Sequence, residues 1–427
     1  MIENFRQQKA LIKLLALVTI IVFTLSRAGA EDPRQLSHGV SAIEFNQNNR
    51  TLYYLTWSST DKRAWEHDIY HSIIAVDKHG QLITLEADQR YIGKAGDEAQ
   101  EPVHATRDAV NDNILSVWED GSGNNAPDVK AQLHKPDGSI IKTNWTIAGG
   151  LGSQHSANVV HLADKYLVLY ADEGPLSTGG AVVKAKVIDD QSGFETQSIA
   201  FSANDEDHWW PIAVSNRANT KTLVIWGNDG YAVRGVVLYE DGGVIKRTQP
   251  PQDYLKNTQQ YFYQALWLDK IGRFVIVARD GAYEKLSDQS QIALIDERGN
   301  LVAHKTVNHG IIREAKPAAI WYDCTRSYHV FYPTGKNQVA HVEVTADGVI
   351  RAFDKTINAA VLQPVEWVPT GTWSAALKDI DGNNSWQNKR LLLFAYNHRH
   401  SNRIVKVPVY IDDALICQHA DRPATRP

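Results

Sequence analysis

With 427 residues, 43 % of them hydrophobic, and a formal charge of −5, the chain has ample material for a buried core and no basic excess. That balance excludes the broad cationic surface that non-specific nucleic-acid binding needs. It leaves room for a local cluster of Arg, Lys and His inside a mildly acidic shell, and so for an anionic partner.

The chain opens with a targeting pattern. Arg6, Lys9 and Lys13 flank the apolar run LLALVTIIVFTL, and Ala28, Gly29 and Ala30 make an A-x-A cleavage site before Glu31. Residues 1–30 are therefore expected to be a signal peptide. The run is too short for a membrane anchor, and no second apolar segment comes after it. A secreted or periplasmic protein with no membrane contact is expected. Cys324 and Cys417 can form one disulfide in such an oxidising compartment, holding the C-terminal tail to the sixth repeat, or stay unpaired.

Beyond residue 30 seven segments open alike, near Val40, Glu101, His155, His208, Tyr261, Arg313 and Glu366, at a spacing of about 53 residues. Each runs into a second strand that ends in an acidic or Gly-rich turn, as in NILSVWEDG, KYLVLYADEG, TLVIWGNDG and RFVIVARDG. A third strand closes in a hairpin, as in VRGVVLYEDGG and SQIALIDERGN, and a fourth, more polar strand ends the unit. The pattern predicts an all-β fold over residues 31–427, a single seven-bladed β-propeller with four antiparallel strands per blade. Trp118, Tyr170 and Trp226 alternate with apolar residues and are expected in the core between blades.

A propeller gathers the starts of its innermost strands around one funnel, so residues distant in sequence meet there. Those openings are polar and basic. His155 and His208 occupy the same point in successive repeats; Trp209, Trp210, Tyr261 and Tyr263 come next, with Arg313 and Lys316 in the sixth repeat. Loops after the second strands add Asn125, Glu173, Asp229 and Tyr231, and Arg234 lies just beyond. Histidine and tyrosine exchange protons near neutral pH, and a cation neutralises a carboxylate. Those are the needs of β-elimination on a uronic acid. Aromatic faces and cations would hold neighbouring sugars and their sulfates. Such chemistry requires no cofactor. Asp379-Ile-Asp-Gly-Asn-Asn starts like a calcium loop but has no acidic twelfth residue; a structural calcium or a solvated turn is open there, and no other metal ligand set is legible.

The openings GSQHSANVVHLADKYLVLYADE and DHWWPIAV, with the leader and the repeat, resemble the ulvan lyases of polysaccharide lyase family 24 across the mature chain. The resemblance implies a monomeric exported enzyme that cuts ulvan, a sulfated rhamnose–uronate polymer, endolytically at C4 of the uronate. It implies His155 as base, His208 as the second candidate, Tyr231 as proton donor, and Arg234 with Asn125 as carboxylate neutralisers. Arg313 and Lys316 would catch the chain, Trp209, Trp210 and Tyr261 would stack on it, and His134 is a reserve candidate. Two other readings stay open, a non-catalytic carbohydrate-binding propeller and a glycoside hydrolase of propeller fold. The second lacks an assignable carboxylate pair.

Overall fold

The second strand of each repeat is apolar on both faces, which a strand adopts only when packed layers cover it on either side. Lys221–Asn228 is buried from Thr222 onward, and Ser327–Thr334 is buried throughout. Fourth strands such as Glu195–Ala200 are largely exposed, as expected at an outer edge. The fold is described by a computed structural model covering residues 40–418, apart from 61–66, 93–99, 109, 122–126, 175–179, 203–206, 282–286, 314, 335–337, 354–355, 359–372, 387 and 398–403. The expected signal peptide, Asn125 and Glu366 lie outside the described residues.

Each repeat folds as an antiparallel meander, and the first strands of successive repeats pack against one another around a central channel. Blade 1 spans Val40 to Ile92, blade 2 Gln100 to Ala148, and blade 3 Gln154 to Ala200. Blade 4 spans His208 to Lys256, blade 5 Thr258 to Asn308, and blade 6 Ala318 to Asn358. The expectation of seven four-stranded blades is corrected. The fold has six blades of about four antiparallel strands, and after them a sheet of three strands, Trp373–Ala376, Lys389–Asn397 and Ile404–Asp412. The reason lies beyond Asp412. In place of an outer strand the chain turns into a short helix, Asp413–Cys417, capped by the Asp412 carboxylate on the Ala414 amide.

That helix is tied back to blade 6 by a disulfide between Cys324 and Cys417, which answers the open question of their pairing and fits an oxidising compartment. Among the described residues no helix is long and apolar enough to cross a membrane. The bridge closes a loop across a sequence separation of 93 residues, and cross-linking of that span stabilises by about 4.6 kcal/mol in the chain-entropy account. Reduction under native conditions is expected to lower the urea midpoint accordingly; an unchanged midpoint would mean that the helix docks without its tether.

The core is a ring of layers between blades rather than one central mass. Leu169, Val183 and Phe201 of blade 3 meet Val224, Trp226 and Val236 of blade 4. Comparable layers join blades 4 and 5 and blades 5 and 6. Trp226 lies in the first of these layers, Tyr170 in the layer between blades 2 and 3, and Trp118 with Ile69 and Val103 between blades 1 and 2, all buried as expected.

One recurring hairpin explains the calcium-like run. Asp379 accepts from the amides of Asp381 and Asn383 at 2.9 and 2.8 Å and from Asn383 Nδ2 at 3.0 Å. Asp296 does the same toward Arg298 and Asn300, and Asp77 toward His79 and Gln81. A carboxylate used by its own turn in three repeats is an Asx-type turn former.

Candidate functional site

At one end of the channel the innermost strands share a defect. In blade 3 the pairing steps from Asn158 opposite Leu169 to His155 opposite Ala171, which inserts one residue. Blade 4 does so between Trp209 and Ile212, and blade 2 between Gln100 and Val103. Blade 5 inserts a longer bulge between Thr258 and Tyr263. Ser156, Trp210 and Tyr261, one from each of three such bulges, have φ of 58°, 51° and 64°. Non-glycine residues hold that conformation only when their surroundings enforce it.

The enforcing groups are visible. Tyr263, fully buried, directs its hydroxyl at the carbonyls of Trp209 and Trp210, at 2.9 and 2.7 Å, and accepts from the Gly227 amide at 2.7 Å. A Cβ at Gly227 would lie 3.3 Å from that hydroxyl, so glycine is what admits it. Burial drives the Tyr263 phenol well above its ordinary pKa, which keeps it a donor. In blade 3 the Ser156 amide donates to the Glu119 carboxylate. Tyr263→Phe is expected to cost about 2 kcal/mol by leaving buried backbone groups unpaired, seen as a lower urea midpoint with altered tryptophan fluorescence.

The bulges place a ledge of aromatic and basic groups across blades 3 to 6. The His155 and Trp209 rings are 6.1 Å apart, and Trp209 Nε1 donates to Asp229 at 3.3 Å. Trp210 meets Tyr261 edge-on at 5.4 Å, and the Arg313 guanidinium lies 4.7 Å over the Tyr261 ring. These rings and Arg313 are half-buried, so stacking surface remains open. Below the ledge a cavity of about 120 Å³ runs along the channel, lined in part by His104, Asn158, Gln264 and Lys316. Lys316 is exposed where it lines this cavity, and the loss of surrounding solvent pushes its ammonium pKa down. Arg313 and Lys316 reach the ledge from the turn before the innermost strand of blade 6, which starts only at Ala318.

His155 lies beside Trp209 at the opening of blade 3. Nδ1 lies 2.9 Å from Ser156 Oγ. Nε2 is buried without a well-aligned hydrogen bond, with Glu173 Oε1 3.4 Å away. Burial pushes the ring below its usual pKa, against the opposing pull of Glu173 and Asp172. Glu173 is itself held by its amide on the Ser153 carbonyl at 3.0 Å.

The other expected site residues fall elsewhere. His208 begins the innermost strand of blade 4 but is buried between blades, its Nδ1 accepting from Trp226 Nε1 at 3.2 Å. Arg234 is on the third strand of blade 4, with Nε on Asp253 at 2.8 Å. Tyr231 sits in the turn after the second strand, half-buried, with its carbonyl holding the Thr258 amide at 2.8 Å. His134 is buried against Ser116 and the Lys135 carbonyl, and burial lowers its pKa to about 4. Two contributors escape a reading of the sequence, Gln264 in the channel and Ser156 beside His155. Alignment of the openings QHSA, HWWP and QYFY points to the bulged position that Ser156 fills, whereas Gln264 lies on the regular ladder beyond it.

A second cluster of ionisable groups lies at the opposite end of the innermost strands. Asp108, His161 and Asp190 are all buried, and burial with the nearby Asp108 charge raises the Asp190 pKa, against the pull of His161.

No family model matches the chain, and no curated protein matches its sequence. Solved structures of similar fold include a Pseudomonas aeruginosa periplasmic gluconolactonase, with 12 % identity, 84 % of this chain and 99 % of that one covered, and a TM-score of 0.47. The Aleuria aurantia lectin gives 12 % identity, 78 % and 98 % coverage, and 0.41. A beta 1,3 galactosidase of family GH43 gives 11 %, 62 % and 92 %, and 0.38. These distant likenesses assign neither a family nor an activity to the chain.

Proposed function

We propose that the protein is a carbohydrate-binding propeller that takes an anionic polysaccharide across the mouth of its channel. The observation that supports this reading is the group formed by Trp210, Tyr261 and Arg313, with Trp210 and Lys316 lining the same cavity and Trp209 beside His155 at the neighbouring opening. Aromatic faces stack on pyranose rings, and the two cations pair with carboxylate or sulfate groups along the chain. A sulfated uronate polymer such as ulvan has both features.

A second reading, eliminative cleavage of that polymer, is favoured by one feature, the buried and poorly satisfied Nε2 of His155 beside Glu173. In that reaction His155 takes the C5 proton of the uronate. The C5–H electrons form the C4=C5 double bond, the C4–O bond breaks, and the departing oxygen takes a proton from an acid, the role proposed for Tyr231 in the turn of blade 4. Arg313 or Lys316 would neutralise the uronate carboxylate.

Migration of the protein through gels containing ulvan, alginate or pectin, with absorbance at 235 nm monitored in parallel, separates the two. Retardation by ulvan without a rise at 235 nm is the expected result for a binding propeller. A rise establishes elimination, and neither retardation nor a rise with any polymer discards both readings.

A further inference from the structure

Asp108 closes the innermost strand of blade 2, His161 lies near the end of that of blade 3, and Asp190 sits in the hairpin after the third strand of blade 3. Asp108 and Asp190 are 0 % and 3 % exposed, and His161 is 3 % exposed. His161 Nε2 is 3.1 Å from Asp190 Oδ2 and 3.9 Å from Asp108 Oδ1. One ligand atom from each residue falls within 4.8 Å of the other two. An ion about 2.0–2.4 Å from each therefore fits between them.

The surroundings are those of a held ligand set. The Asp108 carboxylate is oriented by the amides of Val110 and Asn111, at 2.7 and 3.0 Å. His161 Nδ1 faces the Asn219 side-chain amide from blade 4 at 3.3 Å. That amide can turn its oxygen toward the ring, which places the imidazole proton on Nδ1 and frees the Nε2 lone pair for a metal. Asn113, itself 6 % exposed, puts Nδ2 on the Asp190 carbonyl at 3.4 Å, while its Oδ1 is buried without a partner. A further oxygen donor thus sits beside the cluster.

We propose that Asp108, His161 and Asp190 form a site for one divalent transition ion, which fastens blades 2 and 3, with blade 4 supporting it through Asn219. One imidazole with two carboxylates suits Zn²⁺ or Mn²⁺. The site is at the far end of the innermost strands from His155, so its role is structural and does not depend on what the channel mouth binds.

The test uses the intact protein, untagged and purified without chelator. Elemental analysis after dialysis is expected to find about one equivalent of metal. EDTA is expected to lower Tm by about 3–5 °C, with ZnCl₂ or MnCl₂ restoring it, and Asp190→Asn to abolish that response. A protein that retains no metal and whose Tm neither ion moves would overturn the site and leave a His-bridged carboxylate pair. Equal responses in wild type and Asp190→Asn would place the ion elsewhere and overturn it too. Should Asp190→Asn not fold, Mn²⁺ titration of the wild type read by histidine NMR decides. Selective broadening of His161 upholds the site, and an unbroadened His161 signal rejects it.

Discussion

Trp210→Ala and Arg313→Ala proteins are expected to bind an acidic polysaccharide more weakly, and to differ in how salt affects the loss. Trp210 offers a half-buried ring held edge-on by Tyr261. Truncating such an aromatic anchor typically costs about 2 kcal/mol, or roughly a thirty-fold weaker Kd. Its backbone carbonyl still accepts from Tyr263, so the bulge is retained. Arg313 is stacked over Tyr261 at 4.7 Å and acts by charge as well as contact. Its loss should be largest at low ionic strength and shrink as salt screens the wild-type attraction. The Trp210 effect should persist in salt. Affinity electrophoresis at two salt concentrations checks both. Wild-type retardation in both variants would move the binding surface away from the ledge.

His155→Ala carries the second large effect. If the wild type raises absorbance at 235 nm, the variant should lose that activity by about 10²–10⁴-fold, the range for a missing general base, with polymer retardation within about two-fold of wild type. The pH profile supplies an independent sign. Burial depresses the His155 pKa, so the base form persists below the ordinary histidine range. The rate should be level at neutral pH and fall only as pH drops through the depressed value. Glu173 opposes that depression, so Glu173→Gln should move the acid limb to still lower pH. An unmoved limb, or full activity in His155→Ala, assigns the base to another residue.

Part of this site is legible in the chain itself. His155, Trp209, Trp210, Tyr261, Arg313 and Lys316 share one property, since each stands at the opening of a repeat, and an innermost strand brings such openings to one mouth. His208 meets the same criterion yet is buried against Trp226. The registers set it level with buried Gln154, one residue before the position that His155 and Trp209 share ahead of their bulges, and neighbouring side chains on a strand point to opposite faces. A one-residue bulge reverses which side chains face the channel, and nothing in a strand's composition announces it. Arg234 misses the mouth for a related reason, since the third strand of a blade is too far from the axis to reach it and the Arg234 charge is used on Asp253.

The sequence by itself determined the strands, their hairpins and the propeller class, because alternation, Asp–Gly turns and the repeat length are local properties that each segment carries alone. It also placed the two cysteines where a tether could form. Only the tertiary structure decided the closure, in which a three-stranded sheet and a disulfide-tied helix stand where a seventh four-stranded blade was expected. It alone decided the bulges pinned by Tyr263 and Glu119, and the meeting of Asp108, His161 and Asp190. Those outcomes depend on contacts between residues 29 or more positions apart. Side-chain packing across blades sets them, and no pattern within one strand encodes that packing.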